Sequence, residues 1–175
     1  MSTLRFDERV AVITGAGRGL GREYALLLAS KGAKVVVNDP GGSLSGDGAD
    51  TAPAQQVVDE ITTAGGEAIA VTDSVATVEG GQAIIGKAVE RFGRVDILIH
   101  NAGTVRRGSL KELTYNDFEA VLDVHLRGAF HVVRPAFPLM CDNGFGRIVL
   151  TSSIAGSNGG PGHAAYNATK AAVRS

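Results

Sequence analysis

The amino-acid sequence predicts an α/β protein with a doubly wound parallel sheet that carries helices on both faces. Three features support this prediction. Short runs rich in β-branched residues alternate with longer segments whose apolar residues recur at helical spacing. A glycine-rich turn joins the first run to the first helical segment, and small or polar residues follow later runs. Right-handed crossovers between such strands favour the order 3-2-1-4-5.

The glycine-rich turn, TGAGRGLG, spans residues 14–21 and follows a predicted buried strand from Val10 to Thr14. It does not fit the G-x-G-x-x-G fingerprint, but it fits T-G-x-x-x-G-x-G. Because unpaired N–H groups at a helix N-terminus bind phosphate, a dinucleotide site is predicted; an ordinary helix-capping turn is the alternative. The residues assigned to this site are Thr14, Gly15, Arg18, Gly19, Leu20 and Gly21.

A helix from residue 20 to a stop at residues 31–32 is followed by a second strand, KVVVN, which ends at Asp39. An acidic side chain at this strand tip accepts hydrogen bonds from the adenosine ribose and repels a 2′-phosphate. NAD is therefore predicted rather than NADP. Asp39 is also a residue type that begins a turn, and the two roles are compatible. Arg18 is a counter-signal, because a guanidinium there could reach a 2′-phosphate.

Residues 40–53 are predicted to form a surface loop because they are polar and rich in glycine. A helix over residues 55–63 and a third strand over residues 67–71 follow. Asp73, at the carboxyl end of that strand, is placed to accept from the adenine amino group, although a helix N-cap is an equal alternative. Its neighbours Ser74 and Val75 are assigned to the same part of the cofactor site.

Residues 81–88 nearly match the phosphate-binding pattern G-x-x-x-x-G-K-[ST], but Ala88 lacks the hydroxyl that binds Mg²⁺. The apolar stripe of the segment instead predicts a helix packed on the sheet. The fourth strand, VDILIH, leads into small residues that let a cofactor approach the backbone closely. These cofactor-binding candidates are Asn101, Ala102 and Gly103.

A long helix is predicted from Asp117 to about Arg134, with an end or a kink there because Pro135 and Pro138 follow. His125 lies in its apolar stripe, where a histidine is more often a packed core residue than a catalytic one.

The fifth strand, GRIVLT, precedes Ser153, and Tyr166 and Lys170 follow at a spacing that places both on one helix face. Alcohol–ketone redox chemistry needs a proton donor and acceptor, a second hydrogen bond to the reacting oxygen and a hydride carrier. A nearby ammonium favours the phenolate form of a tyrosine, which makes it a usable base. Ser153, Tyr166 and Lys170 supply these functions beside the predicted cofactor site.

Composition and charge narrow the classes of protein to which this sequence can belong. The chain of 175 residues is 44% hydrophobic with a net charge of −1, which favours one domain, residues 1–175, and gives no signature of nucleic-acid binding. No membrane-spanning run and no signal peptide are found, so a cytoplasmic protein is expected. The single cysteine, Cys141, and the scattered histidines predict no metal site.

In this order, TGAGRGLG, Asp39, HNAG, Ser153 and Y-x-x-x-K resemble the short-chain dehydrogenase/reductase family over essentially the whole chain. The resemblance implies a Rossmann-like sheet, a nicotinamide cofactor and a homodimer or homotetramer. It implies that Ser153 orients the carbonyl and that Tyr166 is the general acid/base. Lys170 would bind the nicotinamide ribose and favour the tyrosinate, and residues 101–103 would lie beneath the adenosine.

Two positions depart from the family pattern. His100 replaces the first asparagine of N-N-A-G, and His125 stands where the family has the asparagine of its proton relay. The segment V-H-L-R-G and the N-D-x-G-G loop resemble the 3-hydroxyacyl-CoA dehydrogenases of peroxisomal β-oxidation, which use NAD. A 3-hydroxyacyl-CoA or a steroid-like alcohol is therefore the expected substrate. His125 either relays protons or only packs.

The chain ends at Ser175, within the helix that carries Tyr166 and Lys170, whereas family members continue with further strands and helices. An incomplete domain without the C-terminal strands, and little activity from these residues alone, are therefore expected. The alternative to an enzyme is a catalytically defective NAD-binding module.

Overall fold

Five parallel strands form the centre of the computed structural model, which describes residues 4–42, 48 and 50–174. Numbered along the chain, they are β1 (Val10–Thr14), β2 (Lys34–Asn38), β3 (Ala68–Val71), β4 (Ile97–His100) and β5 (Arg147–Leu150). Their order across the sheet is β3-β2-β1-β4-β5, and each neighbouring pair is parallel. The predicted fold class and strand order are confirmed.

Helices connect the strands and cover both faces of the sheet. In the described part of the chain they are α1 (Gly19–Ser30), α2 (Ala52–Thr63), α3 (Val78–Phe92), α4 (Tyr115–Leu122), α5 (Gly128–Asp142), α6 (Ala155–Asn158) and α7 (Ala164–Ala172). A π-helical segment, Asp123–Arg127, joins α4 to α5. Part of the predicted surface loop, residues 43–47 and 49, lies outside the described residues.

The alternation of side chains along β1 divides the core between the two faces of the sheet. Val12 belongs to a cluster with residues of α3 and α5, whereas Ala11 and Ile13 belong to a cluster with residues of α1 and α2. All five residues of β1 are buried, as expected for a central parallel strand covered on both faces. The side chains of β5, at one edge, are mostly exposed.

The long helix differs from its prediction over residues 117–134. The helical segment runs from residue 115 to residue 142 and includes Pro135 and Pro138. Of the two expected outcomes, an end near Arg134 is therefore wrong, and a kink there stays a prediction. Each proline removes one backbone hydrogen bond, at a cost of about 3 kcal/mol in a helix interior. Packing outweighs this cost, because three α5 side chains are buried in the core against α3 and the sheet: Val132, Ala136 and Met140.

Asp96 fixes the amino-terminal end of the sheet, opposite the predicted cofactor site. Its fully buried carboxylate accepts from Arg9 at 2.9 Å, from Arg94 at 2.6 Å and from the backbone N–H of Val10 at 3.0 Å. These bonds hold the pKa of Asp96 below its usual range, although burial opposes them. No described helix is long and apolar enough to cross a membrane.

Candidate cofactor cleft and active site

The glycine turn lies against the segment that follows β4, and its close approach requires glycine at two positions. Gly15 has a φ of +64°, and a Cβ atom there would lie 2.7 Å from the Cα of Ala102. A Cβ atom on Gly21 would lie 2.1 Å from the carbonyl oxygen of Gly15. The same carbonyl accepts a hydrogen bond of 3.1 Å from the amide of Asn101. The turn is therefore held between α1 and the end of β4.

Asp39 supports the glycine turn from the tip of β2. One carboxylate oxygen accepts from the N–H of Gly17 at 2.9 Å, and the other accepts from the N–H of Gly41 at 2.7 Å. Each oxygen keeps a further lone pair, which can accept from a ribose hydroxyl. Arg18 donates to the carbonyl of Gly42 at 3.3 Å, so its guanidinium lies toward the same loop.

A cleft of about 610 Å³ opens at the carboxyl ends of the strands, between the glycine turn and the end of β4. This is where a doubly wound sheet reverses its strand order and binds its ligands. Eight of the predicted cofactor-binding residues line it: Gly15, Arg18, Asp39, Ser74, Val75, Asn101, Ala102 and Gly103.

Other predicted cofactor residues lie beside the cleft rather than in its lining. Thr14 is buried beneath it, Gly21 is buried in the turn, and Gly19 and the exposed Leu20 begin α1. The carboxylate of Asp73 forms an ion pair with Lys87 of α3 and is not part of the lining. Its assignment to the adenine amino group stays a prediction.

The shape and donors of the cleft fit a dinucleotide. The backbone at Gly19 has a φ of +54°, and no described atom lies within 4 Å of the place where a Cβ would be. Among the described residues no side chain caps the N-terminus of α1, and uncapped backbone N–H groups at a helix N-terminus suit a diphosphate. Asp39 and Asn101 provide polar groups at two separate places along the same cleft.

His100 connects the glycine turn to the π-helical segment. The hydroxyl of Thr14 accepts from the N–H of Ala102 at 3.1 Å and lies 3.0 Å from Nδ1 of His100, while Nε2 of His100 lies 3.2 Å from the carbonyl of Val124. The carbonyl is left available because the N–H of Gly128 bonds to Asp123 instead, as a π-helix requires. Burial, followed by the charge of Lys170, lowers the pKa of His100 to about 4.

His125 lies in the π-helical segment and is 1% exposed. Its Nε2 accepts from the N–H of Thr104 at 2.9 Å, and its Nδ1 lies 3.1 Å from the hydroxyl of Thr169. The ring packs edge to face against Tyr166, with 5.3 Å between the ring centroids. Burial lowers the pKa of His125 to about 3, with smaller contributions from Lys170 and His100.

Lys170 is anchored at the carboxyl end of β5. Its buried ammonium donates to the carbonyl of Thr151 at 2.6 Å and lies 5.7 Å from the ring centroid of Tyr166. Burial lowers the pKa of Lys170. The hydroxyl of Ser153 accepts from the N–H of Ala155 at 3.2 Å, so this side chain lies at the start of α6, directly after β5. The predicted chemical groups therefore gather at one end of the sheet.

Sequence reasoning missed several residues that organise this region. Ser152 donates to the carbonyl of Lys170 at 2.7 Å and so ties α7 to the end of β5. Asn38 donates to the carbonyls of Val71 and Asp73, and its buried Oδ1 has no partner among the described residues. The place of Asn38 in the sequence, directly before Asp39 at a strand end, could have identified it as part of the site. No local pattern identified Ser152 as an anchor.

Known proteins are similar to this chain in sequence and in fold. The profile of the short chain dehydrogenase family matches residues 9–175. The chain is 54% identical over 167 residues to peroxisomal multifunctional enzyme type 2 of Drosophila melanogaster, covering 95% of this chain and 27% of the relative. It is 53% identical to the peroxisomal hydratase-dehydrogenase-epimerase of Saccharomyces cerevisiae, covering 95% of this chain and 18% of that one. The chain thus spans about a quarter or less of these two relatives.

A solved structure with the same fold contains both a cofactor and a steroid. It is a 7α-hydroxysteroid dehydrogenase in complex with NADH and 7-oxo glycochenodeoxycholic acid, and it superposes with a TM-score of 0.87 at 33% identity. The superposition covers 96% of this chain and 62% of that one.

Proposed function

The chain belongs to the short-chain dehydrogenase/reductase family, and on that basis we propose that it interconverts a secondary alcohol and a ketone with NAD as hydride carrier. One observation carries the proposal beyond family membership. The ammonium of Lys170, a residue of α7, is buried at the end of β5, 5.7 Å from the ring centroid of Tyr166. It donates to the carbonyl of Thr151, whose hydroxyl lies 3.5 Å from Oδ1 of Asn101 in the lining of the cleft. A cation buried beside a phenol favours its ionised form, which the proton transfer requires.

Each side chain then has one chemical task. Tyr166 removes the hydroxyl proton of the alcohol, or returns a proton to the carbonyl oxygen in the reverse direction. Ser153 donates a hydrogen bond to the same oxygen and holds it in place. Lys170 stabilises the negative charge on the phenolate. A bound nicotinamide would supply the acceptor for the hydride that leaves the carbinol carbon, or the donor of the hydride that the carbonyl carbon gains in the reverse direction.

The preference for NAD rests on Asp39. Its carboxylate lines the cleft at the tip of β2 and is held there by two backbone N–H groups. A 2′-phosphate at this position would meet a negative charge, whereas ribose hydroxyls would donate to it. Arg18 is the nearest cation in the lining, but its bond to Gly42 directs it toward the loop.

The substrate that we propose is a 3-hydroxyacyl-CoA thioester. The support is the 54% identity to an enzyme whose name describes a peroxisomal multifunctional protein, together with the V-H-L-R-G segment around His125. A steroid alcohol is the second candidate, because the 7α-hydroxysteroid dehydrogenase shares the fold at 33% identity. A homodimer or homotetramer is expected. The cytoplasmic location stays a prediction, and two relatives carry the word peroxisomal in their names.

The test is NADH and NADPH turnover against a panel of 3-oxoacyl thioesters, keto steroids and simple ketones. We expect NADH oxidation with a thioester, and a loss of about 10³-fold in kcat for Tyr166→Phe, within the range of general acid–base catalysis. Tyr115→Phe is the matched control, because Tyr115 is 92% exposed at the start of α4. Binding of NADH without any turnover would replace the proposal with the non-catalytic module.

A further inference from the structure

His125 has its ring nitrogens committed to two different parts of the fold. A backbone N–H can only donate, so the Nε2 atom that receives the bond from Thr104 carries no proton. The proton of the neutral ring is therefore on Nδ1, which donates to the hydroxyl of Thr169. That hydroxyl in turn donates to the carbonyl of Tyr166 at 3.0 Å. The bonds form one directed chain from the loop after β4 into α7.

This chain leaves the imidazole of His125 no free site for proton uptake. To gain a proton at Nε2, the ring would have to displace the N–H of Thr104, and it would become a buried cation near Lys170. The titratable groups that face the ring in the described structure are Tyr166 and Lys170 of α7 and His100 of β4. None of them is a carboxylate that would stabilise such a cation.

We propose that His125 is a positioning residue that holds α7, and with it the ring of Tyr166, against the loop after β4, and that it does not relay protons. The ring contacts Tyr166 along its edge and also bonds to Thr169, one helical turn further on. The effect of His125 on rate therefore passes through the placement of Tyr166 beside Lys170. This inference rests on the proposed oxidoreductase function.

Thr169→Val separates positioning from relay because it removes the α7 partner and leaves the imidazole in place. We expect kcat to fall by about tenfold, because a misplacement of a reacting group by about 1 Å can cost about 10²-fold and the loss of one hydrogen bond should displace Tyr166 by less than that. The limb of the pH–rate profile that reports the base should move to higher pH, whereas the affinity for NADH should change by less than about twofold. Thr169→Ser retains a hydroxyl and should restore most of the rate.

Substitution of His125 itself gives the second comparison. His125→Gln keeps an acceptor near the Nε2 position, His125→Asn keeps a donor near Nδ1, and His125→Ala keeps neither. Positioning predicts that Gln and Asn each retain more activity than Ala. A relay through the imidazole predicts that Gln loses the same large factor as Ala and that Thr169→Val has little effect, whereas Asn, the relay residue of the family, retains activity in either case. That pair of results would overturn the proposal.

Nitrogen-15 NMR of the imidazole groups tests the assignment without turnover, with the His125→Gln spectrum identifying the signals. We expect an unprotonated Nε2 and a protonated Nδ1 between pH 6 and pH 8. An Nε2–H form or an imidazolium would overturn the proposal even in an active enzyme. Conversely, the protein could show the expected tautomer but no turnover. That result would contradict the proposed function and would still support the directed hydrogen bonds of His125.

Discussion

The glycine turn and the π-helical segment both bound the cofactor cleft, but they are held in place by different forces. The turn is shaped by the absence of side chains and by the backbone N–H of Gly17, which bonds to Asp39, 22 positions away. The π-helical segment is held by two buried histidines, His100 and His125. His125 bonds both to Thr104, 21 positions before it in the chain, and to Thr169, 44 positions after it. Close backbone packing does not depend on protonation, whereas a network of buried imidazoles does.

The largest loss of stability should follow from adding one carbon atom to the glycine turn. For Gly15→Ala we expect a loss of about 3 kcal/mol or more, because left-handed strain and a 2.7 Å approach to the backbone of Ala102 add together. Gly19→Ala is the matched control, with a φ of +54° but no atom of the described residues within 4 Å of the added Cβ. It should lose only about 1 kcal/mol. Urea unfolding measures both values, and equal losses would contradict the role assigned to the close approach.

Lowering the pH should reduce the free energy of unfolding through the buried histidines that hold the π-helical segment. His100 and His125 have their pKa values lowered to about 4 and about 3, so below pH 6.5 the unfolded chain binds protons that the folded chain does not. Stability should therefore fall with pH, by about 2 kcal/mol per histidine between pH 6.5 and pH 5. Unfolding free energies at several pH values measure the slope. His100→Gln should reduce that slope, and an unchanged slope would show that this histidine contributes nothing.

The smallest expected effect concerns the preference for NADH over NADPH, and it tests the role of Asp39. Asp39→Asn keeps the size of the side chain but removes the charge, so the ratio of NADPH to NADH affinity should rise by about tenfold, or ~1.4 kcal/mol. Fluorescence titration with each cofactor measures this ratio. Asp59→Asn removes the same charge from the exposed face of α2 and should leave the ratio unchanged. An equal change in both variants would point to net charge instead.

Much of the fold was predictable because its signals are local. Strand order followed from the alternation of β-branched runs and helical stripes, and the sheet confirms it. The glycine turn was also recognisable, since few residue types allow a φ of +64° at Gly15. The near-match to a phosphate-binding loop at residues 81–88 lies inside α3, as its apolar stripe indicated.

The candidate site was predictable only in part. Eight assigned residues line the cleft, but the carboxylate of Asp73 is paired with Lys87, 14 positions later on another element. The hydrogen-bond partners of His125 could not be inferred either, because no sequence spacing relates Thr104 or Thr169 to His125. Such pairs become neighbours only when helices and loops pack together.

The amino-acid sequence alone is sufficient to predict the parallel sheet, the glycine turn at its centre and the placement of Tyr166 and Lys170 on one helix face. Backbone preference and side-chain periodicity are enough for these, because they act over a few residues. Tertiary structure decided that the long helix continues past Pro135 and contains a π-helical segment. It also decided that His125 is bonded on both sides. Burial against distant elements outweighs local preference at these places, and no short stretch of sequence records that balance.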